Sequence, residues 1–460
     1  MNTLKPLKAP LSVNFESTQV CNLRCSFCFS NSATYSHKNP PLQNVKKIID
    51  LLYEAEVFEI RWFGGEFTAL KGWQEAVEYA YNKGFFMAFV SNGTLLSRED
   101  VRFLYCNGIT GGAMSIHGPE EMHDKIVDTK GAFQKTIQAI RNCWDENIGV
   151  TVLFTPTKIN YKSVYDLAKW FKENNVPVTE IDIGRLCPSG EATHNWDNNR
   201  MTLDDYKFLF KEMRRIHSDF GIHAYMGDAF PLCVLPYSDW DLVTGCWQGT
   251  GFGQISYTGE LKSCSILGGS YGNILETPLI DIWTKKLETM RSLAYLPKQC
   301  RHCPHFCGGG CSASRVGATH YAPDEFIPSL EDENILTLVR RVPGLLNFYI
   351  QSTLERVIAK SYNGNNDNKL IPSTEAKPKI NCRYKIRQDL DGYIGFFKDR
   401  GILTLDETAS KIITLMDGKH SVEHIIADME NNYPLKNGKV RDNVITFLQS
   451  INKGDFLIFN

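Results

Sequence analysis

The stretch Cys21-Asn22-Leu23-Arg24-Cys25-Ser26-Phe27-Cys28 sets three thiols at C-x3-C-x2-C spacing, just after the alternating segment Leu11-Ser12-Val13-Asn14-Phe15. Alternation of apolar and polar residues is the period of a strand, so the cysteines lie on a loop leaving a first strand. Three thiolates are one short of the four that hold a [4Fe–4S] cluster, which leaves one iron open to an outside ligand. Zinc sites more often pair two C-x2-C halves or mix Cys with His, and free cysteines also fill cores. On spacing alone the cluster, zinc and core readings all stand.

Outward from the triplet, strands and helices alternate. A helical pattern over 42–56 leads to the apolar run Val57–Phe63, which ends in Gly64-Gly65-Glu66. A helix over 71–83, the strand Phe86–Val90 and the loop Ser91-Asn92-Gly93-Thr94 follow. Further strands are expected at Ala113–Ile116, Gly149–Phe154 and Val178–Ile183, with a helix over 131–147. Such alternation calls for parallel β/α units whose functional loops lie at the C-terminal strand ends. The 460 residues are 43% hydrophobic with a formal net charge of −2, which gives no global electrostatic case for nucleic acid or an anionic membrane. No apolar run approaches the roughly 18 residues of a transmembrane helix. Fourteen cysteines without a signal-peptide pattern point to metal ligation in a reducing, cytoplasmic setting.

Residues 10–205 resemble the partial (β/α)6 barrel of the radical S-adenosylmethionine (SAM) enzymes, on the triplet, the Gly64-Gly65-Glu66 turn and the Ser91-Asn92 loop taken in order. The resemblance implies that Cys21, Cys25 and Cys28 hold a [4Fe–4S] cluster whose open iron takes SAM. It gives Gly64, Gly65 and Glu66 to the SAM amino group, with bare backbone for close approach, and Phe27 to the adenine. Ser91, Asn92, Ser115 and Arg185 are implied as further SAM contacts. Relatives often read S-x-D-G where this chain has Ser115-Ile116-His117-Gly118, so His117 becomes a candidate catalytic group, against the plainer reading of a structural histidine. The tail from His123-Asp124 to Gly131-Ala132-Phe133 is otherwise similar.

A second constellation comprises Cys246, Cys264, Cys300, Cys303, Cys307 and Cys311, with Gly259 before Cys264 and Gly308–Gly310 before Cys311. On spacing alone zinc could use the last four. The pattern resembles the SPASM extension of radical-SAM peptide maturases, which implies two auxiliary iron–sulfur clusters, one on Cys246, Cys264 and Cys311 and one on Cys300, Cys303 and Cys307. One spacer is short and the last cysteine of the pattern is missing, leaving His320 and Asp324 among the replacements and Cys233 as an added ligand. Cys106, Cys143 and Cys187 read as ordinary buried residues.

A helical segment over 332–359 containing Pro343 and a polar linker over 361–380 precede a last module. There a hairpin turning at Asp391-Gly392 is followed by helical patterns at 406–416, 421–432 and 438–452. Strands and three short helices suggest a winged-helix-like α+β domain. Its last helix is nearly neutral, which disfavours DNA. The phrases Asp406-Glu407-Thr408-Ala409 and Met416-Asp417-Gly418 resemble the peptide chaperone of pyrroloquinoline-quinone biosynthesis, the RiPP recognition element. That resemblance implies a leader peptide bound as an added strand.

The expected organisation is therefore a radical SAM barrel over 1–205, a SPASM domain over 206–360, a linker over 361–380 and a recognition element over 381–460. The expected activity is a maturase that abstracts a Cβ hydrogen from a ribosomally made precursor peptide and closes a C–C cross-link. SAM, a [4Fe–4S] cluster and two auxiliary clusters would serve it, with flavodoxin or ferredoxin as electron donor. Thioether formation, epimerisation and sulfatase-type oxidation are the alternatives within radical chemistry. A non-catalytic iron–sulfur or zinc regulator is the alternative outside it.

Overall fold

Strand β1 (Ser12–Glu16) is hydrogen-bonded on both edges, to β2 (Glu59–Phe63) and to β8 (Phe252–Ser256), both parallel. From β2 the sheet runs in chain order through β3 (Phe86–Ser91), β4 (Gly111–Ser115), β5 (Gly149–Phe154), β6 (Glu180–Ile183) and β7 (His223–Met226), every pairing parallel. The structure, a computed structural model, describes residues 6–32, 39–291, 295–301, 307–315, 324–327, 373–389, 392–398, 401–432, 440–452 and 457–459. The chain divides into two units, 1–346 and 347–460.

The helices of the first unit cover the sheet with apolar stripes. Helix α1 (Leu42–Glu54) buries Val45, Ile48, Ile49 and Leu52, the i, i+3, i+4, i+7 pattern of one helix face. Helices α2 (Trp73–Asn82), α3 (Arg98–Cys106), α4 (Glu120–Ile126), α5 (Ala132–Asp145) and α6 (Val164–Glu173) lie between the later strands. The six expected strands and their parallel order are present. The sheet does not end with them: after a short α7 (Trp196–Asn199), helix α8 (Leu203–Phe220) starts from a Thr202/Asp205 capping box and leads into β7 of the same sheet. Residue 205 thus falls inside a helix of this unit. Strand β8 and the antiparallel β9 (Glu260–Lys262) and β10 (Gly272–Asn273) extend the sheet beyond β1, so the cysteine-rich segment begins as part of the barrel sheet.

In the second unit β12 (Tyr384–Asp389), β13 (Gly392–Phe397) and β14 (Gly401–Leu405) form an antiparallel sheet in which Asp389 pairs with Gly392; Asp391 of the expected turn lies outside the described residues. Three helices follow, Glu407–Leu415, Val422–Asn432 and Val440–Ile451, within two residues of the expected bounds. Asp406 caps the first, its side chain accepting from the Ala409 N–H. Their inward residues, among them Ile412, Ile413, Ile425, Ile426, Val444 and Leu448, make one core with Phe397 and Leu405. The polar stretch read as linker is partly structured. Pro378–Ile380 is strand β11, paired with β15 (Leu457–Phe459), and the Val422 N–H donates to Ala376. A strand of three residues is too short to leave a periodic signal, and its partner lies at the far end of the unit. The expected helix over 332–359 lies outside the described residues. No helix among the described residues is long and apolar enough to cross a membrane.

Candidate active site

The loop from β1 to α1 carries Cys21, Cys25 and Cys28 above the C-terminal strand ends. Its Leu23 is buried against Ile126, Val127 and Ala132, with Cys21, Cys25 and Phe27 packed on the same cluster. Backbone bonds hold it in register: Arg24 N–H donates to Val127 and Ser26 N–H to Ile126, each at 3.1 Å. Asp124, from the tail over 123–133, accepts from the Gly131 and Phe133 N–H groups and so ties α4 to the start of α5. That tail supports the cysteine loop from below.

The glycines after β2 pack against the segment Thr18-Gln19-Val20. A Cβ on Gly65 would stand 2.5 Å from the Gln19 carbonyl oxygen and 2.6 Å from that of Val20; one on Gly64 would stand 2.3 Å from that of Thr18. Gly65 and Glu66 N–H groups donate to Thr18 and Val20 at 2.8 Å. The bare backbone here seats the segment that leads into Cys21. Glu66 itself is buried and tied in. Its carboxylate accepts from the Ser91 hydroxyl at 2.9 Å, the Asn92 N–H at 2.7 Å and the Thr68 hydroxyl at 2.7 Å. Burial raises its pKa, and those hydrogen bonds oppose the rise. Asn92 in turn donates to Asn22 at 3.0 Å, linking the loop after β3 to the cysteine loop. Ser115, half-buried, ends β4.

His117 is buried, with its ring edge-on to Phe27 at 4.7 Å between centroids. Its Nδ1 accepts from the Thr155 N–H at 3.2 Å, its own N–H donates to His123 Nδ1 at 3.1 Å, and its carbonyl accepts from Asn160. Burial, with His123 nearby, holds its pKa well below the usual histidine range. The imidazole is therefore neutral, with its proton on Nε2, and braces Phe27 against the β4 and β5 ends.

Arg185, expected near SAM, has its terminal nitrogens on Asp324, at 2.6 and 3.3 Å, and on Glu325 at 3.4 Å. The guanidinium lies against the packed rings of Phe230 and Phe326, 4.9 and 5.0 Å from their centroids. Asp324, named from sequence as a stand-in for the missing cysteine, is committed to this pair and to the Cys311 N–H at 3.0 Å. The loop holding Arg185 also touches the first cysteines. Glu191 N–H donates to the Cys28 carbonyl at 2.8 Å, and a Cβ on Gly190, whose φ is +58°, would stand 2.2 Å from that oxygen.

Of the second constellation, Cys246, Cys264 and Cys311 influence one another. Burial comes first in pushing the Cys264 thiol up to about 11, with Cys311 and Asp228 adding to it, and Cys246 responds to the same neighbours. Cys300 lies against the Gly309 turn, 3.4 Å from where a Cβ would be. Cys307 opens the glycine turn, while Cys303 and His320 lie outside the described residues. Cys233 is half-buried on a short turn, Leu232–Val234.

The donor set suits clusters. Burial, with Cys28 and Cys21 adjacent, pushes the Cys25 thiol far up, and burial brings Cys21 to about 11. Lone thiolates are disfavoured there and gain from the positive charge of bound iron. Among the described residues no three Cys, His, Asp or Glu side chains close on one point as single-ion ligands would. A [4Fe–4S] cube would take these three thiolates on separate irons and leave the fourth iron open.

Comparison with known proteins agrees with this geometry. Residues 15–171 match the Radical SAM superfamily, 246–304 the SPASM iron–sulfur cluster-binding domain, and 394–457 coenzyme PQQ synthesis protein D (PqqD). The chain is 27% identical over 300 residues to Fe-coproporphyrin III synthase of Methanosarcina barkeri, covering 60% of this chain and 74% of that protein. It is 26% identical over 351 residues to the mycofactocin maturase MftC of Mycolicibacterium smegmatis, covering 72% and 87%. The fold is that of Streptococcus suis SuiB, solved bound to its precursor peptide SuiA, with TM-score 0.55 and 16% identity over 70% of this chain and 76% of that one. Cysteine loop, barrel and domain matches converge: the chain carries a Radical SAM domain, a SPASM iron–sulfur cluster-binding domain and a PqqD-type domain, the RiPP recognition element.

Proposed function

We propose that the chain matures a ribosomally made precursor peptide by closing a C–C cross-link from a side-chain Cβ. The observation that carries the peptide reading is the second unit, where a PqqD match coincides with a sheet whose outer strands β12 and β14 have no second partner among the described residues. An extended leader adds to such an edge by backbone hydrogen bonds, and its alternate side chains select the pocket. Beside the sheet, Thr408, Ala409, Ile412, Met429, Val444 and Phe447 line an apolar groove between the first and third helices. Tethering the leader raises the effective concentration of the core peptide at the barrel.

In the barrel, Cys21, Cys25 and Cys28 would hold the cluster that binds SAM, which on one-electron reduction supplies a carbon radical able to take an unactivated hydrogen. Glu66, Ser91, Asn92 and Ser115 line the strand ends where SAM would lie, and Phe27, braced by neutral His117, walls its adenine. Gly64 and Gly65 seat the cysteine loop. Arg185 is reassigned from SAM to the support of Cys311. Cys246, Cys264 and Cys311, and Cys300, Cys303 and Cys307, would hold auxiliary clusters whose chemistry is electron acceptance. A flavodoxin or ferredoxin would supply the reducing electron.

The test is co-expression with short peptides from open reading frames next to the gene, where such frames exist, followed by mass spectrometry. Loss of two hydrogens with fragmentation blocked between the joined residues, and every cysteine thiol of the peptide still open to alkylation, supports the C–C cross-link, whereas the same loss with a thiol consumed would mean a thioether. An unchanged mass would mean epimerisation, and modification of a tetrapyrrole in place of the peptide would overturn the peptide reading. A groove-filling Ala409→Trp variant is expected to weaken leader binding more than tenfold, by fluorescence anisotropy, while SAM cleavage without peptide stays at the parent rate. Equal binding would remove the groove from the recognition site.

A further inference from the structure

We propose that Cys187 is a fourth cysteine ligand of the auxiliary cluster held by Cys246, Cys264 and Cys311. The inference rests on the reading of those three as cluster ligands. From sequence Cys187 is an unremarkable buried cysteine, with no motif around it. The fold moves it. It follows β6 on the segment Gly184-Arg185-Leu186-Cys187-Pro188, and its thiol lies 3.2 Å from the Ser314 hydroxyl, near enough to Cys311 for each thiol to perturb the other. Ser314 is on the turn that begins at Cys311.

A second observation stands beside it. Arg185 Nε is buried and has no hydrogen-bond partner among the described residues, although the terminal nitrogens of the same guanidinium are satisfied. An unpaired buried N–H is costly. The charge of this guanidinium is felt by both Cys187 and Cys311. A cluster sulfur among these thiols would give that N–H an acceptor, and such hydrogen bonds are part of how proteins tune cluster potentials. Asp228 is the competing donor. Its charge reaches Cys187, Cys246, Cys264 and Cys311, but its carboxylate already accepts from the Arg185 backbone N–H at 2.6 Å. A soft thiolate is also the better ligand for iron in a sulfide cluster.

Ligation by Cys187 would have a structural consequence. The same loop, four residues on, donates from Glu191 to the Cys28 carbonyl. One short segment would then touch both the SAM cluster loop and an auxiliary cluster.

The experiment uses the full chain carrying Cys21→Ala, Cys25→Ala and Cys28→Ala, so that only auxiliary iron is read, reconstituted anaerobically with iron and sulfide. Iron and sulfide per chain and the EPR spectrum of the dithionite-reduced protein are compared with and without Cys187→Ser, which keeps the side-chain size, and Cys187→Ala. Cys143→Ala, removing a buried thiol on α5, is the control. The expected result is a changed EPR signal and loss of at least one iron per chain in both Cys187 variants, with the control unchanged. Iron and spectrum equal to the parent in Cys187→Ser, or changed no more than in the control, would overturn the proposal, as would a change seen only in Asp228→Asn. If Cys246→Ala also leaves iron and spectrum untouched, the auxiliary-cluster reading fails instead, a result distinct from failure of Cys187 alone.

Discussion

Gly65→Ala is expected to abolish SAM cleavage in a protein that still folds. The new Cβ would meet the Gln19 and Val20 carbonyl oxygens at 2.5 and 2.6 Å, and both are backbone atoms that cannot swing aside as a side chain would. The Gly65 and Glu66 N–H groups also donate into this segment, so the two strands of backbone must part or the cysteine loop must move. Cys21 is the next residue along. A displacement of about 1 Å in a catalytic array costs on the order of 100-fold in rate, and a cluster that has lost the spacing of its thiols fares worse. The measurements are iron content, expected to fall by one cluster, and 5′-deoxyadenosine released under dithionite, expected to fall at least ~100-fold. The buried barrel residues are not touched, so the thermal transition of the apo-protein should move by only a few degrees. Cleavage at the parent rate with full iron would show that the glycines do not seat the loop. Cys25→Ala removes the same iron by deleting a ligand, and the two variants should match in spectrum while only Gly65→Ala leaves all three thiols open to alkylation.

The fold was legible because the barrel is written in local periods. Strand runs such as Gly149–Phe154, with helical stripes between them, announce parallel β/α order without any knowledge of what pairs with what. The three helices of the second unit were equally plain, each with a start signal and an apolar face. What escaped is long-range. Strand β8 adds to β1 across more than two hundred residues, and no feature of Phe252–Ser256 names its partner. The cysteine triplet and its companion loops were visible as motifs, yet the reason for Gly64 and Gly65 was not, since a glycine advertises close approach without saying to what. Cys187 and Arg185 carry the same lesson: their meaning comes from Cys311 and Asp324, which the chain reaches only after 120 further residues or more.

Asp324→Ala should destabilise the first unit by about 3–5 kcal/mol, the cost of leaving a buried charge without its partner. Both side chains of the Arg185–Asp324 pair are fully buried, and the guanidinium packs against the clustered rings of Phe230, Phe326 and Tyr206, so its charge is poorly solvated once the carboxylate is lost. Of the two other acids nearby, Glu325 is partly exposed and reaches only one terminal nitrogen, at 3.4 Å, and Asp228 accepts from the Arg185 backbone N–H instead of its guanidinium. At roughly 2–4 °C per kcal/mol for a domain of this size, the expected fall in Tm is about 10 °C. Asp324 also receives the Cys311 N–H, so stability and cluster retention should separate under a second change. In Arg185→Met with Asp324→Leu the buried charge is gone and apolar volume fills its place, and such replacements often restore stability. The Cys311 N–H still lacks its acceptor in that double variant, and the N–H of Arg185 is lost as well. Its Tm should therefore return to within a few degrees of the parent while auxiliary iron stays low. If Tm and iron recover together, the pair serves only to hold the fold. If Asp324→Ala alone leaves Tm unchanged, the pair contributes no net stability, and the aromatic packing against Arg185 must be tolerating an unpaired charge.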